Sequence, residues 1–219
     1  MTDKFAVIFD MDGTLIDSTK YIWASFNHIL NQHGVHIHNH EINPYLGLSI
    51  KDHVKVWKEK YGVDLDLNEF IKKANSIQFD LMSNDLKPNN GLVELLEELK
   101  QNNIKMGIGT SSTIDRAEKM LKMAKIEKYF STISATDHVV LDKPHPDIFL
   151  SVAKKLKVEP KDCVVIEDAN SGIEAAKRGG MKAVGYLAPF TTRDKLRDAD
   201  LIVESFSELS YQKIKDLFI

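Results

Sequence analysis

The chain has 219 residues, 43% hydrophobic and 28% charged, an ordinary globular composition that excludes a largely disordered or collagen-like chain. Its 29 Lys and Arg against 32 Asp and Glu leave a formal net charge of −3, so it carries neither the basic footprint of a nucleic-acid binder nor a basic amphipathic run for a membrane surface. Apolar runs such as Ala6–Phe9 fall far short of the about 20 residues of a membrane span, the N-terminal stretch lacks a signal-peptide layout, and the single Cys163 has no partner for an intrachain disulfide; a cytoplasmic protein is expected.

Phe5–Phe9 is a continuous apolar run ending at Asp10, the pattern of a strand buried on both faces. Residues 18–86 follow with helical periodicity at Tyr21–Asn31, Ser49–Lys60 and Leu67–Met82 and no strand between them. From residue 91 the pattern alternates. Gly91–Asn102 reads as a helix with Leu92, Leu95, Leu96 and Leu99 on one face, and Ile104–Ile108 as a strand. A helix at Ile114–Lys122, a strand around Ile133, a helix at Pro146–Lys157 and a strand at Cys163–Ile166 come next. Pro146 suits a first helical turn, and Gly179-Gly180 stops a helix over Ser171–Arg178. Strands at Ala183–Tyr186 and Leu201–Val203 complete the series. This alternation predicts an α/β fold, a Rossmann-like parallel sheet formed by 1–17 and 87–219. Residues 18–86 are expected to form a small α-helical domain inserted after the first strand, with hinges at Asp17-Ser18 and Lys87–Gly91.

Four segments at or after predicted strand ends carry the chemistry. They are Asp10-Met11-Asp12-Gly13-Thr14, Gly109-Thr110-Ser111-Ser112, Lys143 within Asp142–Asp147, and Glu167-Asp168. Ligands of open α/β sheets bind beyond the carboxyl ends of the strands. If these ends converge, Asp10, Asp12, Glu167 and Asp168 crowd negative charge into one crevice, and the repulsion demands cations. Lys143 supplies one; a hard divalent ion with oxygen ligands, Mg²⁺, supplies the rest. Such a site suits phosphoryl transfer, where positioning and charge neutralisation dominate and a carboxylate can act as nucleophile.

The sequence DMDGTLIDS at Asp10–Ser18, GTSS at Gly109–Ser112, DKPHPDIF around Lys143 and VVIEDANSGIEAAK around Glu167-Asp168 resembles the four motifs of the haloacid dehalogenase superfamily of Mg²⁺-dependent phosphohydrolases, over nearly the whole chain. The helical insert is similar to the cap of the subgroup containing phosphoglycolate phosphatase and β-phosphoglucomutase. The resemblance implies that Asp10 is the nucleophile and a Mg²⁺ ligand. It implies that Asp12 is general acid then base, with its main-chain carbonyl on Mg²⁺. It places Thr110 on the phosphoryl group, Lys143 against nucleophile and phosphate, Asp168 on Mg²⁺ and Glu167 on it nearby or through water. The expected activity is hydrolysis of a small phosphorylated metabolite by a monomer. The dehalogenase branch lacks the second aspartate, so Asp12 favours phosphoryl chemistry. A phosphosugar mutase and a non-catalytic phosphate-binding relative are the alternatives. Against a mutase, Ile22, Leu46 and Ile50 stand where that subgroup has His, Lys and Arg, and an apolar side chain cannot anchor a phosphate dianion.

Gly47 and Ser49 in the loop 46–49, together with Ser111 and Ser112, are expected on the substrate. The two serines equally suit capping of the Ile114 helix, and Asn170 either bridges towards the site or caps the Ser171 helix. Tyr21 and Trp23 either reach substrate or pack the helical domain. His28, His33, His36, His38 and His40 form either a transition-metal site or a solvated loop. The charged face of Lys51–Lys60 is expected in solvent, and Cys163 is expected to be buried and inert.

Overall fold

A computed structural model describes residues 5–42, 45, 50–83 and 86–219. After β1 (Ala6–Phe9) come α1 (Thr19–Leu30), α2 (Ile50–Tyr61), α3 (Leu67–Met82) and α4 (Leu92–Gln101). Then follow β2 (Lys105–Gly109), α5 (Ile114–Met123), β3 (Thr132–Ser134), α6 (Asp147–Leu156), β4 (Cys163–Glu167) and α7 (Asn170–Arg178). The chain ends with β5 (Lys182–Tyr186), β6 (Leu201–Val203) and α8 (Tyr211–Lys215). It divides into two compact units, one of Met1–Asp17 with Lys87–Ile219, the other Ser18–Leu86.

In the first unit the six strands form one sheet of order β3-β2-β1-β4-β5-β6, every pairing parallel. This is the doubly wound Rossmann order, and its parallel pairing is what the alternation of patterns predicts. All four residues of β1 are fully buried, as a central strand covered on both faces requires. On one face Ile148, Phe149 and Val152 of α6 and Ile173 and Ala176 of α7 pack with Ala6, Ile8, Cys163 and Val165. The chain runs from β1 to β2 and β3 on one side, then crosses back to β4 on the other. The crevice between β1 and β4 is therefore the switch point of the sheet, and their carboxyl ends, Asp10 and Glu167-Asp168, share it.

Several boundaries move by a residue or two from the expected ones, because terminal turns are fixed by capping and tertiary packing rather than by periodicity. Pro146 stands at the N-cap of α6, not inside its first turn. Asn170 is the first residue of α7, whose N-cap is Ala169. The hydroxyls of Ser111 and Ser112 do not cap α5; Asp137 does, its carboxylate accepting the Ile114 N–H at 3.2 and 3.4 Å. Helix α8 has no counterpart among the predicted elements. It starts at Ser210, whose hydroxyl accepts the Lys213 N–H, and Tyr211 stacks on Phe5. Cys163 is buried in β4; burial, with repulsion from Asp162 and Glu159, pushes its thiol up to about 12, so it is a packing residue.

The second unit is α1, α2 and α3 around an aromatic core. Trp23, Phe26, His53, Trp57 and Phe70 meet ring to ring at centroid distances of 5.2–5.6 Å. Trp23 thus packs inside the helical unit. On α2, Lys51, Lys55 and Lys58 are exposed while Trp57 is fully buried, as the amphipathic pattern requires. The exposed rings of His36 and His38 meet edge to face at 4.7 Å, and those of His38 and His40 stack at 5.6 Å. Among the described residues no three or more His, Cys, Asp or Glu are grouped to hold a metal ion. No helix of the described residues is long and apolar enough to cross a membrane.

Candidate active site

Where β1 ends, the backbone N–H of Asp10 still pairs with Ile166 O of β4, at 3.0 Å. The chain then turns sharply, with Leu15 and Ile16 N–H both donating to Met11 O. Gly13 makes the turn possible for two reasons. Its φ is +94°, and a Cβ there would lie 2.3 Å from Asp168 Oδ2. Asn89 braces the turn, its side chain donating to Gly13 O (3.1 Å) and Thr14 O (2.7 Å).

Lys143 is the centre of the site. Its ammonium donates to Asp10 Oδ1 at 2.5 Å and to Glu167 Oε1 at 3.0 Å, and all three side chains are at most 8% exposed. The other oxygen of Glu167 accepts the Ala169 N–H. Asp168 lies against the β1 turn, its Oδ1 accepting from Thr14 Oγ at 2.9 Å and its main-chain carbonyl from Thr191 Oγ at 2.7 Å. The loop bearing Lys143 is tied down by Asp142, which accepts from Ser111 Oγ (2.7 Å), Thr136 Oγ (3.2 Å) and the Lys143 N–H (2.9 Å).

Two buried carboxylates thus share one ammonium, and Asp168 adds a third negative group near them. Burial, with Glu167 and Asp12 adding repulsion against the pull of Lys143, pushes Asp10 up to about 8. Asp168 is held well above the usual carboxylate range by burial and by Glu167 and Asp10. Burial works against the charge on Lys143, but Asp10 and Glu167 outweigh it and keep it protonated above its ordinary pKa. Negative charge in excess of its counter-charge, on a set of oxygen donors, fits a hard divalent cation. Glu167, expected near the metal or on it through water, has one oxygen on Lys143 and the other on the Ala169 N–H. The donors that fit the ion are the carboxylates of Asp10 and Asp168 and the Asp12 carbonyl, a sparse set of the kind Mg²⁺ completes with water.

Thr110, at the end of β2, is 1% exposed, and its Oγ accepts the Ser112 N–H at 3.1 Å. Ser111 donates to Asp142, and Ser112 donates to Asp12 Oδ2 at 2.7 Å. Gly47 and Ser49 lie outside the described residues. The sequence reading missed Thr14, Asn89, Asp142, Thr191, Arg116 and Gly172. Thr14 lies inside the first motif and Asn89 inside a turn-rich segment, so position gave a signal for both. Gly172 matters because a Cβ there would sit 1.8 Å from Glu167 Oε1. Gly172→Ala is expected to push Glu167 off Lys143 and lower kcat by about 10²-fold, the scale of an ångström of misplacement. Steady-state kinetics check this; unchanged kcat would mean that Glu167 does not hold Lys143 in working position.

A lysine-bridged cluster of carboxylates at the carboxyl edge of a parallel sheet defines the class: a doubly wound α/β protein with its polar chemistry gathered at the strand ends. The chain matches the sequence profile of haloacid dehalogenase-like hydrolases over residues 7–186. It is 32% identical to the phosphorylated carbohydrates phosphatase of Thermotoga maritima over 82% of this chain and 83% of that one. It is also 32% identical to the β-phosphoglucomutase of Bacillus subtilis over 96% and 94%. The crystal structure of β-phosphoglucomutase from Clostridium difficile superposes with a TM-score of 0.81 at 29% identity, covering 100% of this chain and 97% of that one. The chain belongs to the haloacid dehalogenase-like hydrolase family, an enzyme family for which Mg²⁺ is typical.

Proposed function

We propose that this chain is a Mg²⁺-dependent phosphatase that hydrolyses a small phosphate monoester, of carbohydrate type, through an aspartyl-phosphate on Asp10. The observation that carries the reading is the buried Lys143 bridging Asp10 and Glu167, with Asp168 against the turn that bears Asp12. The names of the relatives support a phosphorylated sugar as the substrate class.

In the first step a carboxylate oxygen of Asp10 bonds to phosphorus as the bond from phosphorus to the leaving oxygen breaks. The electron pair stays on that oxygen, which takes the proton carried by Asp12. In the second, a water gives a proton to Asp12 and attacks phosphorus; the Asp10–phosphorus bond breaks, and inorganic phosphate and the Asp10 carboxylate are released. Lys143 screens nucleophile and phosphoryl charge, and the Thr110 hydroxyl donates to a phosphoryl oxygen. Asp10, Asp168 and the Asp12 carbonyl would hold Mg²⁺, which when bound supplies positive charge to the phosphoryl oxygens. The unit Ser18–Leu86 is read as the cap that selects the leaving group, and the enzyme as a cytoplasmic monomer.

A panel of phosphorylated metabolites assayed with and without Mg²⁺ tests this reading. Turnover that needs the ion and ranks sugar phosphates first is the expected result; no turnover on any ester would leave a non-catalytic phosphate-binding protein. The kinship with β-phosphoglucomutases keeps the mutase reading testable: it requires conversion of β-glucose 1-phosphate to glucose 6-phosphate with a bisphosphate activator, which the apolar Ile22, Leu46 and Ile50 oppose. Independently of activity, Mg²⁺ at about a hundred times its Kd adds about 2.7 kcal/mol, a rise in melting temperature of about 5–10 °C. Calorimetry checks this, and an unchanged melting temperature at millimolar Mg²⁺ contradicts the metal site.

A further inference from the structure

Asp12 is gripped from the side of α5. Its Oδ2 accepts the Ser112 hydroxyl at 2.7 Å and its Oδ1 the Arg116 Nη2 at 3.3 Å, while Arg116 Nε donates to Ser112 Oγ at 3.2 Å. The three groups close a ring. Ser112 comes from the loop after β2 that also carries Thr110, and Arg116 from the first turn of α5.

Two features set Arg116 apart from a surface arginine. Its side chain is only 11% exposed, unusual for a guanidinium unless it meets a specific partner. It also stands at the N-terminal end of α5, where a cation opposes the helix dipole, so its place is not explained by the stability of its own helix. What it meets is the carboxylate that the mechanism uses twice.

We propose that Arg116 is a positioning residue for catalysis: with Ser112 it fixes the direction in which Asp12 presents its carboxyl group to the reacting oxygen. Ser112 and Arg116 hold one carboxylate oxygen each, so the plane and direction of the Asp12 carboxyl group are fixed from both sides. The proposal rests on the reading of Asp12 as the acid and base. As the ester bond breaks, its electron pair moves to the leaving oxygen, and the Asp12 proton reaches that oxygen only along the held direction. A leaving group that is stable as an anion does not need this proton; a basic one does.

The test compares kcat/KM for two esters in the presence of Mg²⁺. Phenyl phosphate releases a basic phenoxide, the parent phenol having a pKa of about 10 as in tyrosine. 2,4-Dinitrophenyl phosphate releases a phenoxide that is stable unprotonated. Arg116→Ala is expected to lower kcat/KM for phenyl phosphate by about 10²-fold and that for the dinitrophenyl ester by less than about threefold. Arg116→Met, which keeps the buried stem, should show the same split, and Arg116→Lys, which keeps the charge without the fork, a smaller one. Equal losses on both esters, or none, in folded Arg116→Met overturn the proposal. Asp12→Asn runs alongside. If it shows the split and the Arg116 variants do not, the positioning role alone fails; if it shows none, the role of Asp12 as acid fails.

Discussion

Asp10→Asn is expected to lose turnover by about 10⁴-fold or more while folding normally, because the carboxamide has the shape of the carboxylate but cannot bond to phosphorus and be released again. The same variant has a signature in stability. Asp10 is pushed from 3.8 to about 8 chiefly by burial, so in the metal-free protein the folded state holds a proton that the unfolded state releases. The corresponding stability is fully present below about pH 4 and lost as pH rises towards 8. A carboxamide at this position does not titrate, so the metal-free wild type should lose ground to Asp10→Asn across that window. Mg²⁺ should raise the melting temperature of the variant less than that of the wild type. Denaturant unfolding at a series of pH values, with chelator, measures the first effect; a stability difference constant from about pH 4 to about pH 8 contradicts the crowding of carboxylates around Asp10.

Lys143→Met is expected to be the most damaging change to the fold of the site. It leaves Asp10 and Glu167 buried together without their shared cation, and breaking a buried pair from one side costs about 3–5 kcal/mol. For a chain of this size that lowers the melting temperature by about 6–20 °C. Its loss from a site that neutralises phosphoryl charge should also lower kcat by about 10³-fold. The stability deficit should narrow as pH falls from about 8 to about 5, because the stranded carboxylates take up protons. Thermal melts across that range check it; a deficit equal at both ends would mean that packing, not charge, is what Lys143 provides.

The framework was legible in the sequence wherever one physical constraint dominated. A strand buried on both faces must be continuously apolar, so β1, β4 and β5 were readable to within a residue or so, and each ends where the polar chemistry begins. Asp10, Asp12, Thr110, Lys143, Glu167 and Asp168 were candidates because they stand at strand ends or in the loops after them, in a recognisable order. What stayed hidden depends on contacts between distant segments. Arg116 reads as one more charge in a helix start, and only the approach of α5 to the β1 turn gives it Asp12. Gly172 reads as a weak helix residue until Glu167 fills the space its Cβ would take. That Glu167 holds Lys143 with one oxygen and the Ala169 N–H with the other is likewise invisible in the sequence. Trp23 left two readings open, and the ring contacts with Phe26 and His53 decide for core packing. Helix α8, at five residues, is too short for any periodicity.

The central claim is a covalent phosphoryl group on Asp10. Asp12→Asn mixed with 2,4-dinitrophenyl phosphate and Mg²⁺, quenched within the first turnover and digested for mass spectrometry, tests it most directly. That ester needs no proton to depart, while the second step has lost its base, so the intermediate should accumulate. The expected result is one phosphoryl group per chain, on the peptide containing Asp10, appearing together with released dinitrophenol. Dinitrophenol released with no phosphoryl group on the protein, or with the group on another residue, would contradict the account.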